Sequence, residues 1–145
     1  MRVVLDTNIL ISACWKPGGL EDQLVQLAFA RRIQAIASPA LWAEYVEVLH
    51  RPKFEKLRDR ADLLLARLEP CLLSVIPFPK LELANDADDD LLLECAAGGQ
   101  ADYLITGNLK DFPLDWPIAR IVNARGFLDA NPQIVHAPPA PCVAP

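Results

Sequence analysis

Apolar residues along this chain fall into short blocks separated by polar punctuation. Residues 3–5 are a continuous apolar run, which suits a strand buried on both faces of a parallel sheet. Residues 33–37, 72–76 and 118–122 are short, mainly apolar stretches that read as further strands, and 103–106 as another buried one. The stretches between them carry apolar residues at helical spacing. Ile9, Leu10 and Ile11 open the first, and Leu20, Leu24, Leu27 and Ala28 carry a second helix to about residue 32. Leu41, Tyr45, Val48 and Leu49 form a stripe that begins after Ser38-Pro39 and closes at Pro52. Ser as N-cap with Pro at the first helical position is a strong start signal. Residues 53–69 predict one or two further helices around Leu63, Leu64, Leu65 and Leu68, residues 91–97 a helix apolar nearly all round, and residues 124–130 a short closing helix.

The punctuation agrees with this division. Lys16-Pro-Gly-Gly19 is a turn, Gly98-Gly99 ends the apolar helix, and Gly107-Asn108 cuts off the strand before it. Strands alternating with helices predict an α/β fold, a three-layer α/β/α domain around a central parallel sheet of about five strands. Residues 1–131 are expected to form one domain. Residues 132–145 are expected to be a disordered tail rich in proline and alanine.

Composition narrows the class. At 145 residues, 52% hydrophobic and 23% charged, the chain can bury a real core. No apolar run approaches the ~20 residues needed to cross a bilayer. The run after Arg2 breaks at Asp6 and is no signal peptide, so the expected location is the cytoplasm. Cys14, Cys71, Cys95 and Cys142 lack the paired spacing of a zinc site, and buried free thiols are expected in the apolar surroundings. His50 and His136 are the only histidines, which leaves little room for a histidine-based triad or zinc centre. A net charge of −5 argues against a surface coated for non-specific nucleic-acid binding.

The acids hold the candidate chemistry. Asp6 ends the first strand, on the rim where open α/β sheets bind ligands, and Thr7 and Asn8 can cap the helix that follows. Glu44 lies at the edge of the Leu41–Tyr45–Val48 stripe, where a carboxylate is expensive unless paired or metal-bound. Glu47 points further out and reads as an ordinary solvated acid. Asp86, Asp88, Asp89 and Asp90 crowd the start of the apolar helix, with Asp90 expected to be drawn furthest inward. Asn108 and Asp111 follow the 103–106 strand on the same rim as Asp6, whereas Asp102 precedes that strand and belongs at the opposite edge.

Capping and turn formation explain each acid alone. Together they place clustered carboxylates at one end of one sheet, where they raise each other's pKa unless a cation intervenes. Oxygen-only ligands suit Mg²⁺ or Mn²⁺. Such a site can generate a nucleophilic water and neutralise a phosphodiester, with two metals about 3.5–4 Å apart in the two-metal version.

Residues 5–8, Glu44, the acidic run 86–90 and residues 101–112 resemble a PIN domain, and the last two stretches are most similar to the VapC-like toxins of toxin–antitoxin pairs. The resemblance implies a magnesium- or manganese-dependent ribonuclease that works as a homodimer with an antitoxin protein in a hydrophobic groove. By position it makes Asp6, Glu44 and Asp90 the metal-binding acids, with Asp89 as a neighbouring possibility. The family's next acid falls at Asn108, a departure that weakens a second metal or passes the role to Asp111. Asn8 and Thr106 are expected to position substrate and the carboxyl-end loop. Arg51, Lys53, Lys56, Arg58 and Arg60 could hold RNA phosphates, although Glu55, Asp59 and Asp62 are interleaved as on a solvated face. Trp15, Trp42 and Phe29 are candidates for partner surfaces.

Two phosphate-handling folds fit less well. A haloacid-dehalogenase-type phosphatase wants a second Asp where this chain has Asn8. A response-regulator receiver wants an Asp and a Lys at strand ends occupied by Pro77 and Asn123. The alternative from another class is a non-catalytic interaction module with its metal site degraded at Asn108.

Overall fold

The computed structural model describes residues 1–77 and 87–136. Asp86, Cys142 and residues 137–145 of the expected tail lie outside them. Five parallel strands form one sheet in the order β3-β2-β1-β4-β5. They are β1 (Arg2–Leu5), β2 (Gln34–Ala37), β3 (Leu73–Ser74), β4 (Tyr103–Ile105) and β5 (Arg120–Val122). Val3, Val4, Leu104 and Ile105 are wholly buried, as expected of strands covered on both faces. The sheet is flanked by helices, giving the α/β/α arrangement the alternating pattern predicts.

The strand order fixes where chemistry can sit. The chain builds outward from β1 through β2 to β3, then returns to β4 beside β1 and builds the other way. Between β1 and β4, paired Val3 to Tyr103 and Leu5 to Ile105, the strand order reverses, and it is at the carboxyl ends of such a switch that open α/β sheets bind ligands.

Helix α1 (Thr7–Trp15) starts at once after β1. Its N-cap is Asp6, not Thr7 or Asn8, because Asp6 keeps extended backbone (φ −65°, ψ 145°) while Thr7 is already helical. Helix α2 (Leu20–Phe29) ends earlier than residue 32. Arg31 adopts the left-handed conformation (φ 57°), and the amides of Arg31 and Arg32 bond back to Ala28 and Leu27. This is a Schellman stop without the usual glycine.

Helix α3 (Pro39–Leu49) begins as predicted, with the Ser38 hydroxyl accepting from the Leu41 amide at 3.1 Å. A 3₁₀ segment (Pro52–Leu57) and α4 (Arg58–Leu68) follow. Helix α5 (Ala87–Gly98) packs on β1, β2 and β4. Gln100, not a glycine, takes the left-handed position at its end (φ 53°). Gly99 is required for space instead, since a Cβ there would stand 2.4 Å from the buried Ile36 Cδ1.

The outer strands are shorter than predicted. In the stretch 72–76 only Leu73 and Ser74 form β3, an exposed edge strand with one neighbour. Ile118, expected in the last strand, is exposed ahead of β5. After α6 (Ala124–Ala130) comes a short α7 (Pro132–His136) that buries Ile134, so the folded part runs past the expected boundary at 131. Tyr103 and Phe127 meet edge to face at 4.9 Å, tying α6 to β4. Cys14 and Cys95 are buried free thiols and Cys71 is half-buried. Burial pushes the Cys95 thiol up to about 11, so it is inert at neutral pH. Among the described residues no helix is long and apolar enough to cross a membrane.

Candidate active site

Asp6 and Thr106 face each other across the β1–β4 switch. The Asp6 amide donates to the Ile105 carbonyl at 2.9 Å and the Thr106 amide to that of Val122 at 2.9 Å, so both lie where the ladder ends. The fully buried Thr106 hydroxyl donates to Asp6 Oδ2 at 2.7 Å and accepts from the Asn108 amide at 3.0 Å. One hydroxyl thus sets the orientation of the first acid and the path of the loop after β4. Asp6 is 8% exposed. Burial raises its pKa against the opposing pull of Thr106 and the Asn8 and Thr7 amides, and the nearby charge of Asp111 adds to the rise.

Glu44 reaches the same rim from α3. Leu41, Tyr45, Val48 and Leu49 are buried as predicted, and Glu44 is half-buried at the edge of their stripe. The Tyr45 hydroxyl donates to the Leu5 carbonyl, which pins α3 to the last residue of β1. The Thr7 hydroxyl then donates to Glu44 Oε2 at 3.3 Å. The Glu44 carboxyl is raised to about 7, first by burial, then by the charge of Asp88, the charge of Asp6 and a hydrogen bond with Asp88, with Thr7 opposing.

From the acidic run, Asp88 is therefore brought to Glu44. Asp88 and Asp89 continue the buried stripes of Leu92 with Cys95 and of Leu93 with Ala96 towards the rim at i, i+4, i+7 spacing. Asp88 itself is exposed, whereas Asp89 and Asp90, the acid expected furthest inward, are half-buried, Asp90 in line with Glu94. Asn108 is exposed at the start of a 3₁₀ turn (Leu109–Asp111), whereas Asp111, at its end, is half-buried and is the acid Asp6 senses. Asn8 Oδ1 accepts from the Gly107 amide at 3.2 Å, so its side chain clips α1 to the β4 loop. Asp102 lies at the opposite edge, as expected, and accepts from the Arg2 amide at 2.8 Å. Glu47 is an exposed partner of Arg51.

Sequence reasoning names Asp88 only as one of the acidic run, Thr7 only as a cap and Tyr45 only as part of the apolar stripe. The spacing of Asp88 to Leu92 and Cys95 was the available signal for the first. The other two act through contacts between distant parts of the chain.

A hard divalent cation fits the donor chemistry of this rim. Asp6, Glu44, Asp88 and Asp111 offer carboxylate oxygens, and burial first, then like charge, raises the pKa of Asp6 and Glu44. They are coupled in pairs. Among the described residues no three acidic, histidine or cysteine side chains already stand close enough to hold one ion.

Thr106 gives a direct test of this wiring. Thr106→Val keeps the shape but leaves Asp6 Oδ2 and the Asn108 amide without their shared partner. We expect a loss of about 1–3 kcal/mol, read as a lower urea midpoint. An unchanged midpoint would refute the bridging role.

Comparison with known proteins agrees with this fold. The chain is 27% identical over 111 residues to the uncharacterized protein MJ1680 of Methanocaldococcus jannaschii, covering 74% of this chain and 71% of that protein. It superposes with a TM-score of 0.61 and 23% identity on a chain in the crystal structure of VapBC2 from Rickettsia felis bound to a DNA fragment from their promoter, covering 85% of this chain and 98% of that one. That likeness speaks for the fold. The sequence pattern of the PIN domain matches residues 2–110, from the first strand through the loop after β4. The chain belongs to the PIN domain family.

Proposed function

We propose that this protein is a metal-dependent endoribonuclease that hydrolyses phosphodiester bonds of RNA, acting as the toxin of a toxin–antitoxin pair. The observation that carries the reading is the convergence of like-charged carboxylates on the buried β1–β4 switch, with Glu44 raised to about 7. PIN domain proteins are generally nucleases that use divalent metals, and the fold likeness to VapBC2 supports the toxin role. Mg²⁺ or Mn²⁺ would be held by Asp6 and Glu44, with Asp90 and Asp111 as further ligands and Asp88 beside Glu44. The ion would supply an activated water and neutralise the phosphodiester.

The chain's own residues prepare that site. Thr106 locks the Asp6 carboxylate, Thr7 orients Glu44, and Asn8 holds the Gly107 loop against α1. Asp111 supports replacement of the acid missing at Asn108, which weakens the non-catalytic alternative. For the antitoxin, a cavity of about 200 Å³ between α1, α2 and α4 is lined by Ala13, Cys14, Phe29, Leu63, Leu64 and Arg67. Trp15 is more than half exposed near that end of α1, Phe29 lies under the Arg67 guanidinium, and Trp42 packs edge to face on Tyr45. A homodimer completes the reading by family resemblance.

The test is cleavage of a labelled single-stranded RNA by purified protein with Mn²⁺, with Mg²⁺ and with EDTA. Cleavage that requires metal supports the reading. No cleavage of any RNA tried, with no effect of metal on thermal stability, favours the interaction module. The acidic run gives a further expectation. Asp90→Asn should lower cleavage by at least about tenfold, in the range for losing a ligand or its support. Asp88→Asn should instead move the pH profile to lower pH, by removing the like charge beside Glu44. Two variants with wild-type rates and profiles would remove this helix from the site.

A further inference from the structure

Two of the five cations that follow α3 are engaged on backbone carbonyls. The Arg58 guanidinium donates to the His50 carbonyl at 3.1 Å and that of Arg60 to the Cys14 carbonyl at 3.1 Å. Lys53 Nζ stands 5.1 Å over the Phe54 ring. Arg51 is different. Its Nε and Nη2 form a fork on Glu47, at 3.1 and 2.9 Å, while 43% of its side chain stays exposed. Its amide bonds back to the Val48 carbonyl at 3.1 Å, so Arg51 continues the last turn of α3 seven residues after Glu44, on the side towards the acidic rim. The Glu47 hydrogen bond first, then the charges of Asp88 and Glu44, raise its pKa.

We propose that Arg51 is a phosphate-binding residue of this site, exchanging the Glu47 carboxylate for a phosphodiester of single-stranded RNA next to the acidic centre. The inference rests on the ribonuclease reading. A carboxylate and a phosphate present the same pair of oxygens to a guanidinium, so the fork already has the geometry the ligand needs. An exposed i, i+4 pair holds its partners weakly, and the exchange meets little resistance. The need for it is electrostatic. An RNA strand approaching a chain of net charge −5 and a cluster of acids is repelled, and a cation at the lip offsets this where the strand must pass.

The experiment compares the wild type with Arg51→Gln, Arg51→Lys, Glu47→Gln and the remote control Lys16→Gln. Steady-state cleavage with Mn²⁺ and anisotropy of a labelled oligouridylate in Ca²⁺ are both read across salt concentrations. For Arg51→Gln we expect KM and Kd to rise about tenfold with a smaller change in kcat, and the salt slope to fall by about 0.7, the value for one contact to a single strand. Arg51→Lys should recover part of the loss. Glu47→Gln, which frees the guanidinium, should bind RNA more tightly than the wild type, and this gain should vanish in the double variant with Arg51→Gln, which a general charge effect of losing Glu47 would not do. Lys16→Gln removes the same charge at the far end of α1 and should leave KM in place. If the wild type cleaves RNA but Arg51→Gln keeps its KM and salt slope, the proposal is overturned and the ribonuclease reading stands. If the wild type neither binds nor cleaves, both fall.

Discussion

Asp6→Asn is expected to lower metal-dependent RNA cleavage by about a thousandfold or more while leaving the fold in place. The size follows from what the carboxylate does at the end of β1. It is the acid that the buried Thr106 hydroxyl orients, and it lies between the charges of Glu44 and Asp111. A metal ion contributes several kcal/mol of transition-state charge stabilisation. Each ~1.4 kcal/mol is a factor of ten in rate, so loss of the central charged ligand reaches this magnitude. Folding should tolerate the change. The asparagine oxygen can still accept from the Asn8 amide, its NH2 group can donate to the Thr106 hydroxyl oxygen in place of the bond that Asp6 Oδ2 accepts, and a carboxyl that burial pushes up is replaced by a neutral group. The metal-free variant should therefore melt at or above the wild-type temperature. Cleavage assays with Mn²⁺ beside thermal unfolding check both halves. Full activity in a folded Asp6→Asn protein would remove the acidic rim as the site.

Much of this site was legible because its first acid follows a rule of chain order. Val3 to Leu5 read as a strand buried on both faces, so the polar residue that ends it must lie on the carboxyl rim. The Ser38-Pro39 cap set the phase of α3 and so put Glu44 at the edge of an apolar stripe, where it is. Other features depend on contacts that no local pattern carries. Thr7 meets Glu44 across 37 positions and Thr106 meets Asp6 across 100. The acid of the 88–90 run that faces Glu44 depends on the phase of α5, and consecutive acids give few marks of that phase. Arg31 and Gln100 close helices in a conformation usually left to glycine, so the end of α2 was placed too late. The 72–76 stretch reads as a five-residue strand because composition does not tell an edge from a centre. The strand order puts β3 at the edge, where only two residues pair.

Metal should stabilise the protein more at pH 8 than at pH 5.5. The Glu44 carboxyl, at about 4.5 in an unfolded chain, is raised to about 7 in the fold by burial and by the charges of Asp88 and Asp6. The folded state therefore binds a proton that the unfolded state has released across that window. The stability this gives is fully present below pH 4.5 and is lost as pH rises through about 7. Asp6, also raised, acts in the same direction. Because Glu44 is only half-buried, solvent screening reduces its share to about 1 kcal/mol. A divalent cation supplies the charge the protons would otherwise provide, and it meets least competition from them above pH 7. At a hundred times its Kd it adds about 2.7 kcal/mol, a rise in Tm on the order of 10 °C for a domain of this size. Melting curves at pH 5.5 and 8, with and without Mn²⁺, measure the difference. Glu44→Gln should flatten the metal-free pH dependence and remove most of the Mn²⁺ shift. Equal shifts at the two pH values, or a full shift in Glu44→Gln, would mean that the cation binds elsewhere. The raised carboxyls would then be only the consequence of burying acids together.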